Sequence, residues 1–349
     1  MVNLKLGKHT VGESHPTFII AEIGINHQGD INIAKKLILK AKEAGANAVK
    51  FQKRTISRIL TKEGLMMPYE NRNSFGKTYG EHKHALELSE NDYKSLLKFS
   101  QGLDIEFCAS GWDEESIDFL DNLGVPFFKM ASADLTNFPL LKHVAKKGKP
   151  IILSTGMADI QTVKLAVKLV ENYNKQLAIL QCTSTYPAKF SEINLNVIRT
   201  YQKEFTNAVI GYSGHEQGIA IPIAAVALGA RIIERHFTLD RTMKGGDHSA
   251  SLEPQGFTKM VRDIHHVESA MGKFEKEMQE SEKPVFNKLA KSIVSKIDIE
   301  NGSNITREIL TTKGPGTGIN PMKMELIIGK KVNKKILADT VINEDDIIW

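Results

Sequence analysis

The fold is decided by residues 209–237, VIGYSGHEQGIAIPIAAVALGARIIERHF. Short apolar runs at 209–215 and 231–237 flank a segment, 219–228, whose apolar residues have helical spacing. Such an order predicts a β-strand, a helix and a second strand parallel to the first. A histidine stands at or near the end of each run, so the two imidazoles should lie at the same edge of the sheet.

The same unit recurs along the chain. Six further apolar runs precede it: FIIAEIG (18–24), NAVKFQ (47–52), IEFCASG (105–111), PFFKMAS (126–132), PIILSTG (150–156) and AILQCTS (178–184). Amphipathic helical segments such as 32–44 fill the gaps between them. Eight strand–helix units predict an α/β fold, a (β/α)₈ TIM barrel, which takes about 250 residues and carries catalytic groups at the C-terminal strand ends.

Polar and ionisable residues stand at those predicted strand ends. Because side chains two apart share a face of a strand, Lys50 points with Gln52, and Ser213 with His215. Inward-facing positions near the top of a barrel open into its mouth. The candidate site therefore comprises Glu22, Lys50, Gln52, Ser110, Lys129, Ser132, Ser154, Thr183, Ser213, His215 and His236.

The two histidines suggest a metal. His215 and His236 end neighbouring strands, which lie about 4.8 Å apart, so both can reach one ion. The alternative is that each is a structural histidine held by hydrogen bonds.

The two lysines suggest an acidic ligand. Buried ammonium groups at Lys50 and Lys129 are costly without an anion, and the neighbouring serine hydroxyls suit a phosphate or carboxylate. Salt bridges to Glu22, Asp134 or Glu234 would neutralise them without a ligand. A second functional interpretation makes Lys129 a Schiff-base nucleophile. Asp247, in the turn after the last strand, adds a carboxylate at the mouth.

The connection 53–104 is unusually long and polar. Long connections of this kind are often functional, so we predict a lid or substrate loop, with a disordered surface excursion as the alternative. The barrel domain should occupy residues 1–271, followed by a charged linker, 272–284. Residues 285–349, with short apolar runs between turn signals, predict a small β-rich domain.

Composition excludes several classes of protein. The net charge of +5 is scattered, and no basic stripe interleaved with aromatic residues indicates nucleic-acid binding. No apolar run is long enough for a membrane span, and the N-terminus lacks the apolar core of a signal peptide. Cys108 and Cys182 both fall inside predicted strands, which favours reduced thiols and a cytoplasmic location.

Six motifs carry a resemblance to a known family: EIGINHQG (22–29), KFQ (50–52), YGEHK (79–83), GYSGHE (211–216), ERHFTLD (234–240) and GGDHSASLEP (245–254). Through them the chain resembles the N-acetylneuraminate (sialic acid) synthases nearly end to end, and its C-terminal segment resembles the antifreeze-like (SAF) domain. The YGEHKHALELS and GYSGHEQGIAI segments are more similar to the animal-type enzymes, which use a 6-phosphorylated sugar, than to typical bacterial ones.

The resemblance implies condensation of phosphoenolpyruvate with N-acetylmannosamine or its 6-phosphate, giving sialic acid or its 9-phosphate and inorganic phosphate by C–O cleavage. It implies Mn²⁺, or else Mg²⁺ or Co²⁺, on His215 and His236. The family's phosphoenolpyruvate ligands correspond to Lys50, Lys129, Ser110, Ser132, Ser154 and Ser213. Glu22 would contact the sugar and handle protons, and the sugar and metal region would be lined by Gln52, Asp134, Tyr186 and Asp247.

The resemblance also implies a domain-swapped homodimer, in which the partner's SAF domain covers the barrel mouth. Many bacterial members reach the partner's sugar with an arginine, at a position where this chain has Gly314. Either Lys313 substitutes for that arginine or the sugar is held differently.

Three alternatives remain open at this point. The sugar could be the trideoxy diacetamido precursor of legionaminic or pseudaminic acid. A metal-independent Schiff-base lyase would use Lys129. A non-enzymatic chain would use the C-terminal segment as an ice-binding or partner-binding module.

Overall fold

The computed structural model describes residues 2–349. The chain divides into two compact units: the first ends at Gly272 and the second is Lys273–Trp349. Among the described residues, none of the helices has the length and apolar character needed to cross a membrane.

The first unit is a closed barrel of eight parallel strands, so the predicted fold class is confirmed. Its strands follow a short hairpin, β1–β2, and are β3 (Phe18–Gly24), β4 (Ala48–Lys53), β5 (Glu106–Gly111), β6 (Phe128–Met130), β7 (Ile151–Ser154), β8 (Leu177–Cys182), β9 (Val209–Gly214) and β10 (Ile232–His236). Neighbours in sequence pair side by side, and β10 pairs with β3 to close the barrel. All eight apolar runs identified in the sequence form these strands.

Helices on the outside connect the strands. They are α1 (Ile31–Glu43), α2 (Ile56–Ile59), α3 (Lys62–Met66), α4 (Tyr79–Ala85), α5 (Glu90–Gly102), α6 (Glu114–Leu123), α7 (Phe138–Ala145), α8 (Ile160–Glu171), α9 (Val197–Glu204), α10 (Ala220–Ala227) and α11 (Pro254–Met271). Aspartate caps start several of them: the side chains of Asp30, Asp113 and Asp159 accept hydrogen bonds from first-turn amides. Their buried faces and the outer faces of the strands form the main apolar core.

The hairpin β1 (Asn3–Leu6) and β2 (His9–Gly12) was not predicted from the sequence. Leu4, Leu6 and Val11 belong to one buried cluster with inward-facing strand residues such as Ile20 and Ile152. Apolar side chains therefore fill the barrel at this level, and the hairpin covers its N-terminal end. Because strand side chains alternate, residues further along with the parity of this cluster point into the upper barrel.

The long connection between β4 and β5 is ordered, contrary to the alternative of a disordered excursion. It contains α2, α3 and α4 before α5. A capping box joins Thr78 and Glu81 at the start of α4. Gly80 packs so closely on α3 that an added Cβ would lie 2.9 Å from the carbonyl oxygen of Leu65. These contacts fix the orientation of α4.

The second unit has its own small core. Its strands are β11 (Ser292–Ser295), β12 (Leu310–Lys313), β13 (Lys331–Val332) and β14 (Ile347–Ile348), and its helices are α12 (Lys283–Leu289) and α13 (Met324–Ile327). The buried cluster includes Ile293, Ile327, Val332 and Ile342. The segment predicted as a linker, 272–284, lies almost wholly in this unit and already contains the beginning of α12.

Candidate active site

A cavity of about 310 Å³ opens at the C-terminal ends of the barrel strands. Every side chain predicted for the site lines it except Asp134, Thr183 and Lys313. Those that do are Glu22, Lys50, Gln52, Ser110, Lys129, Ser132, Ser154, Tyr186, Ser213, His215, His236 and Asp247. Strand register brings them together: Glu22 is level with Lys50 on one side and with His236 on the other.

Lys50 lies in an acidic environment. Its Nζ is 2.8 Å from Glu22 Oε2 and 3.8 Å from Glu234 Oε1, and it donates to Ser110 Oγ at 3.2 Å. Burial lowers the pKa of Lys50, but the two carboxylates outweigh burial and raise it overall. Lys50 therefore carries a positive charge over the whole physiological range.

Lys129 is bound mainly by neutral groups. Its Nζ donates to Ser154 Oγ at 2.7 Å and to the Met130 carbonyl at 3.1 Å, while Glu234 Oε1 is 3.6 Å away. Burial lowers the pKa of Lys129, and Glu234 only partly opposes this. Glu234 is a counter-ion of both lysines and Glu22 of Lys50 alone, whereas Asp134 forms no ion pair with either lysine.

Glu22 is a buried acid of the site whose pKa is raised. Burial raises its pKa above the ordinary range of a glutamate, Lys50 opposes this, and the nearby Glu234 reinforces it. The Gln52 side chain donates to Glu22 Oε1 at 3.2 Å. A carboxyl whose pKa is moved toward neutrality is suited to exchange a proton during a reaction.

The two histidines lie side by side, with ring centroids 5.4 Å apart. His215 Nδ1 is 2.7 Å from the Thr183 carbonyl oxygen, to which it donates, and this leaves Nε2 free. His236 Nδ1 is buried without a hydrogen-bond partner, 3.7 Å from Asp247 Oδ2. Burial lowers the pKa of His236 to about 4, so the ring is neutral. The Tyr186 ring packs 4.0 Å from the His215 ring.

These donors fit a divalent cation. Two neighbouring imidazoles, one of them fixed by a carbonyl oxygen, together with a carboxylate, are typical ligands of Mn²⁺-like and Zn²⁺-like ions. Among residues 2–349 no three His, Cys, Asp or Glu side chains are already arranged around one point as a complete metal site. Two protein nitrogens would leave other coordination positions to water and substrate, as in catalytic sites.

Three predicted residues lie elsewhere. Asp134 is buried in the turn Ser132–Asp134 after β6, outside the cavity lining, and burial raises its pKa to about 6. The Thr183 hydroxyl donates to the Glu192 carbonyl, because Cys182 is the residue of β8 that faces the interior. Lys313 belongs to the second unit, where it pairs with Asp339 at 2.5 Å.

Six lining residues were not among the predicted site residues, although Glu234 was considered as a salt-bridge partner of the lysines: Lys83, Trp112, Met157, Cys182, Ser184 and Glu234. Two of them carried a usable signal. Glu234 has the parity of His236, and Cys182 has that of the interior residue Leu180. Lys83 lies on α4, far in sequence from any strand end. Only tertiary packing brings it to the mouth of the barrel.

Residues 37–276 match the NeuB family and residues 290–348 match the SAF domain. The chain belongs to the NeuB family. N-acetylneuraminate-9-phosphate synthase of Mus musculus is 48% identical over 338 residues, which cover 97% of this chain and 94% of the mouse protein. N,N'-diacetyllegionaminic acid synthase of Legionella pneumophila is 40% identical over 337 residues, covering 95% of this chain and 94% of its own.

A solved NeuB-family structure has the same fold. N-acetylneuraminic acid (sialic acid) synthetase of Leptospira borgpetersenii superposes with a TM-score of 0.71 at 35% identity, covering 81% of this chain and 94% of that one. The expected SAF domain after the barrel is confirmed by the family match.

Proposed function

We propose that this NeuB-family chain is an enzyme that condenses phosphoenolpyruvate with N-acetylmannosamine 6-phosphate, giving N-acetylneuraminate 9-phosphate and inorganic phosphate. The observation that carries the proposal is the composition of one cavity, where two buried lysines and five serine side chains adjoin two neighbouring histidines. The names of the mouse, human and Drosophila relatives favour the phosphorylated product over the free sugar acid.

Phosphoenolpyruvate would occupy the deep part of the cavity. Its phosphate and carboxylate supply the anions that Lys50 and Lys129 otherwise find in Glu22 and Glu234. Charge-assisted hydrogen bonds from lysines and serines are the strong interactions that bind such groups. The ligand is fixed with its C3 carbon toward the two histidines.

His215 and His236 would hold the divalent ion, Mn²⁺ first and Mg²⁺ or Co²⁺ as substitutes. When bound, such an ion supplies Lewis-acid polarisation of the sugar aldehyde. The chain itself orients the His215 imidazole through the Thr183 carbonyl, places the Asp247 carboxylate 3.7 Å from His236, and packs the Tyr186 ring against His215.

The bond changes balance with one water. C3 of phosphoenolpyruvate bonds to the aldehyde carbon, and the oxygen of a water adds at C2. The bond between C2 and the bridging oxygen then breaks, so that this oxygen leaves with phosphate. Glu22, with its raised pKa, takes one proton from the water and passes it to the oxygen of the former aldehyde, and the remaining hydroxyl proton leaves with phosphate as C2 becomes a ketone.

The chain is proposed to act as a homodimer in which each SAF domain covers the partner's barrel mouth. Large apolar side chains are exposed at the start of the second unit: Phe274, Met278, Val285, Phe286 and Leu289. An apolar strip of this kind is typical of a surface that a second subunit covers. Lys313 would then reach the partner's sugar. A cytoplasmic location is proposed because both cysteines are free and buried.

The test uses phosphoenolpyruvate labelled with ¹⁸O at the bridging position, Mn²⁺, and either N-acetylmannosamine or its 6-phosphate. Sugar-dependent phosphate release that carries the label is expected, faster with the 6-phosphate. Release that requires a trideoxy diacetamido sugar would move the chain to the legionaminate-type branch, and label retained in the organic product would exclude C–O cleavage.

A Schiff-base lyase is the second candidate, because burial lowers the pKa of Lys129. Borohydride with pyruvate would then inactivate the enzyme and attach to Lys129, and turnover would survive a chelator. The proposed synthase is inactivated by the chelator and not by borohydride.

A further inference from the structure

Lys83 is the one lysine lining the cavity whose ammonium has no polar partner among residues 2–349. It projects from α4, in the connection between β4 and β5, and it is partly buried. Its closest described interaction is with the face of the Tyr79 ring, 5.0 Å from Nζ. Lys50 and Lys129, by contrast, have carboxylate or hydroxyl partners. A partly buried, unpaired ammonium at a cavity wall is suited to an anion that arrives with a ligand.

The surroundings of Lys83 are electropositive. The adjacent His82 reports this, because burial lowers its pKa to about 4 and Lys83, Arg54 and Lys244 all act in the same direction. Burial lowers the pKa of Lys83 itself to about 8, Arg54 acts in the same direction, and Asp247 and Glu87 are the opposing charges. Arg54 is already paired with Glu87 at 3.0 Å. Of these three cations only Lys83 lines the cavity, and the exposed Lys244 lies over the Phe75 ring.

The position of Lys83 separates it from the deep lysines. Lys50 and Lys129 stand on barrel strands, whereas Lys83 reaches the cavity from a helix outside the barrel. Under the proposed function, the lysines and serines on the strands bind both anionic groups of phosphoenolpyruvate. A sugar whose aldehyde lies near the histidines extends away from the strands, toward the mouth. An anion on its far end would lie on the same side as α4.

We propose that Lys83 binds a phosphate monoester at the far end of the sugar substrate. The inference rests on the proposed function and adds the residue that distinguishes a phosphorylated sugar from an unphosphorylated one. Inorganic phosphate leaving the site has the same chemistry, so the experiment must separate the two sources.

The experiment measures kcat/KM for N-acetylmannosamine 6-phosphate and for N-acetylmannosamine in Lys83→Met, with Lys83→Arg and Lys77→Met alongside. Lys77 is exposed in the same connection and does not line the cavity, so its variant is the matched control. Losing a charge-assisted hydrogen bond should lower the preference for the phosphorylated sugar at least about tenfold in Lys83→Met. Lys83→Arg should restore part of it, and Lys77→Met should leave it unchanged.

If the wild type accepts only the phosphorylated sugar, its KM should rise at least about tenfold while the KM for phosphoenolpyruvate changes less than about twofold. Equal losses with both sugars, or an unchanged preference, would overturn the proposal. So would a weakened inhibition by inorganic phosphate without a change in sugar preference, because that would assign Lys83 to the product. Failure of the wild type to release phosphate with any mannosamine sugar would instead refute the proposed function.

Discussion

Replacing Lys50 by methionine should destabilise the barrel in a pH-dependent way. Lys50 is the only ion-pair partner of Glu22 in the part of the chain that the structure describes, and both side chains are almost fully buried. Glu234 still has Lys129 at 3.6 Å after the substitution, so Glu22 is the carboxylate left alone. Removing one member of a buried pair costs about 3–5 kcal/mol of unfolding free energy.

The sign of the pH dependence follows from Glu22. Burial already raises its pKa above the unfolded value, and loss of Lys50 raises it further. A carboxyl group whose pKa is higher in the folded than in the unfolded protein contributes its full stability below the unfolded pKa, which is about 4.3 for a glutamate. This contribution is lost as the pH rises through the folded pKa. The penalty in Lys50→Met should therefore be smaller at pH 5 than at pH 8, because it grows by about 1.4 kcal/mol for each pH unit above the folded pKa of Glu22 in the unsubstituted protein.

Urea unfolding followed by helical circular dichroism at pH 5 and pH 8 measures this penalty. The double variant Glu22→Gln/Lys50→Met is the control, because it removes the orphaned carboxylate and should recover more than half of the loss at pH 8. The same loss at both pH values, or no recovery in the double variant, would refute the assignment of Glu22 as the buried acid that depends on Lys50.

Three further results are expected. His236→Ala should lose Mn²⁺-dependent turnover while its urea midpoint is retained. Mn²⁺ titration of the variant measures the loss of metal binding, and unchanged activity would show that His236 is not a metal ligand. Ser154→Ala, which deletes the 2.7 Å bond from Lys129, should raise the KM for phosphoenolpyruvate about tenfold; an effect on the sugar KM alone would contradict this. Leu6→Ala, at a fully buried hairpin position, should cost about 2–5 kcal/mol in urea unfolding, with KM values unchanged; a loss below 1 kcal/mol would show that the hairpin is dispensable.

The barrel and the deep part of its site could be predicted because they follow from strand periodicity. Once eight strands are recognised, the alternation of side chains turns Lys50 and Ser110 into the same interior. That rule also exposes an error: Cys182 faces the interior, so the side chain of its neighbour Thr183 cannot. Thr183 contributes to the site only through its carbonyl oxygen, which accepts a hydrogen bond from His215.

What could not be predicted depends on tertiary packing. Lys83 reaches the cavity because α4 is fixed against α3 at Gly80, a contact that no local pattern announces. The hairpin β1–β2 is short and has only the turn at Gly7, with its positive φ of 62°, to mark it. Its apolar residues can be assigned to the core only once the barrel whose N-terminal end they cover is known.

The hairpin has a kinetic consequence. Because its side chains share a packed cluster with the lower strand residues, the barrel is a blind-ended chamber and ligands enter and leave through the mouth. Under the proposed function, the compound held by the deep lysines must load before the sugar blocks its path. Phosphate, formed at the same depth, must depart after the nine-carbon acid. The order of binding and release is thus set by three buried hairpin residues, Leu4, Leu6 and Val11, none of which lines the cavity.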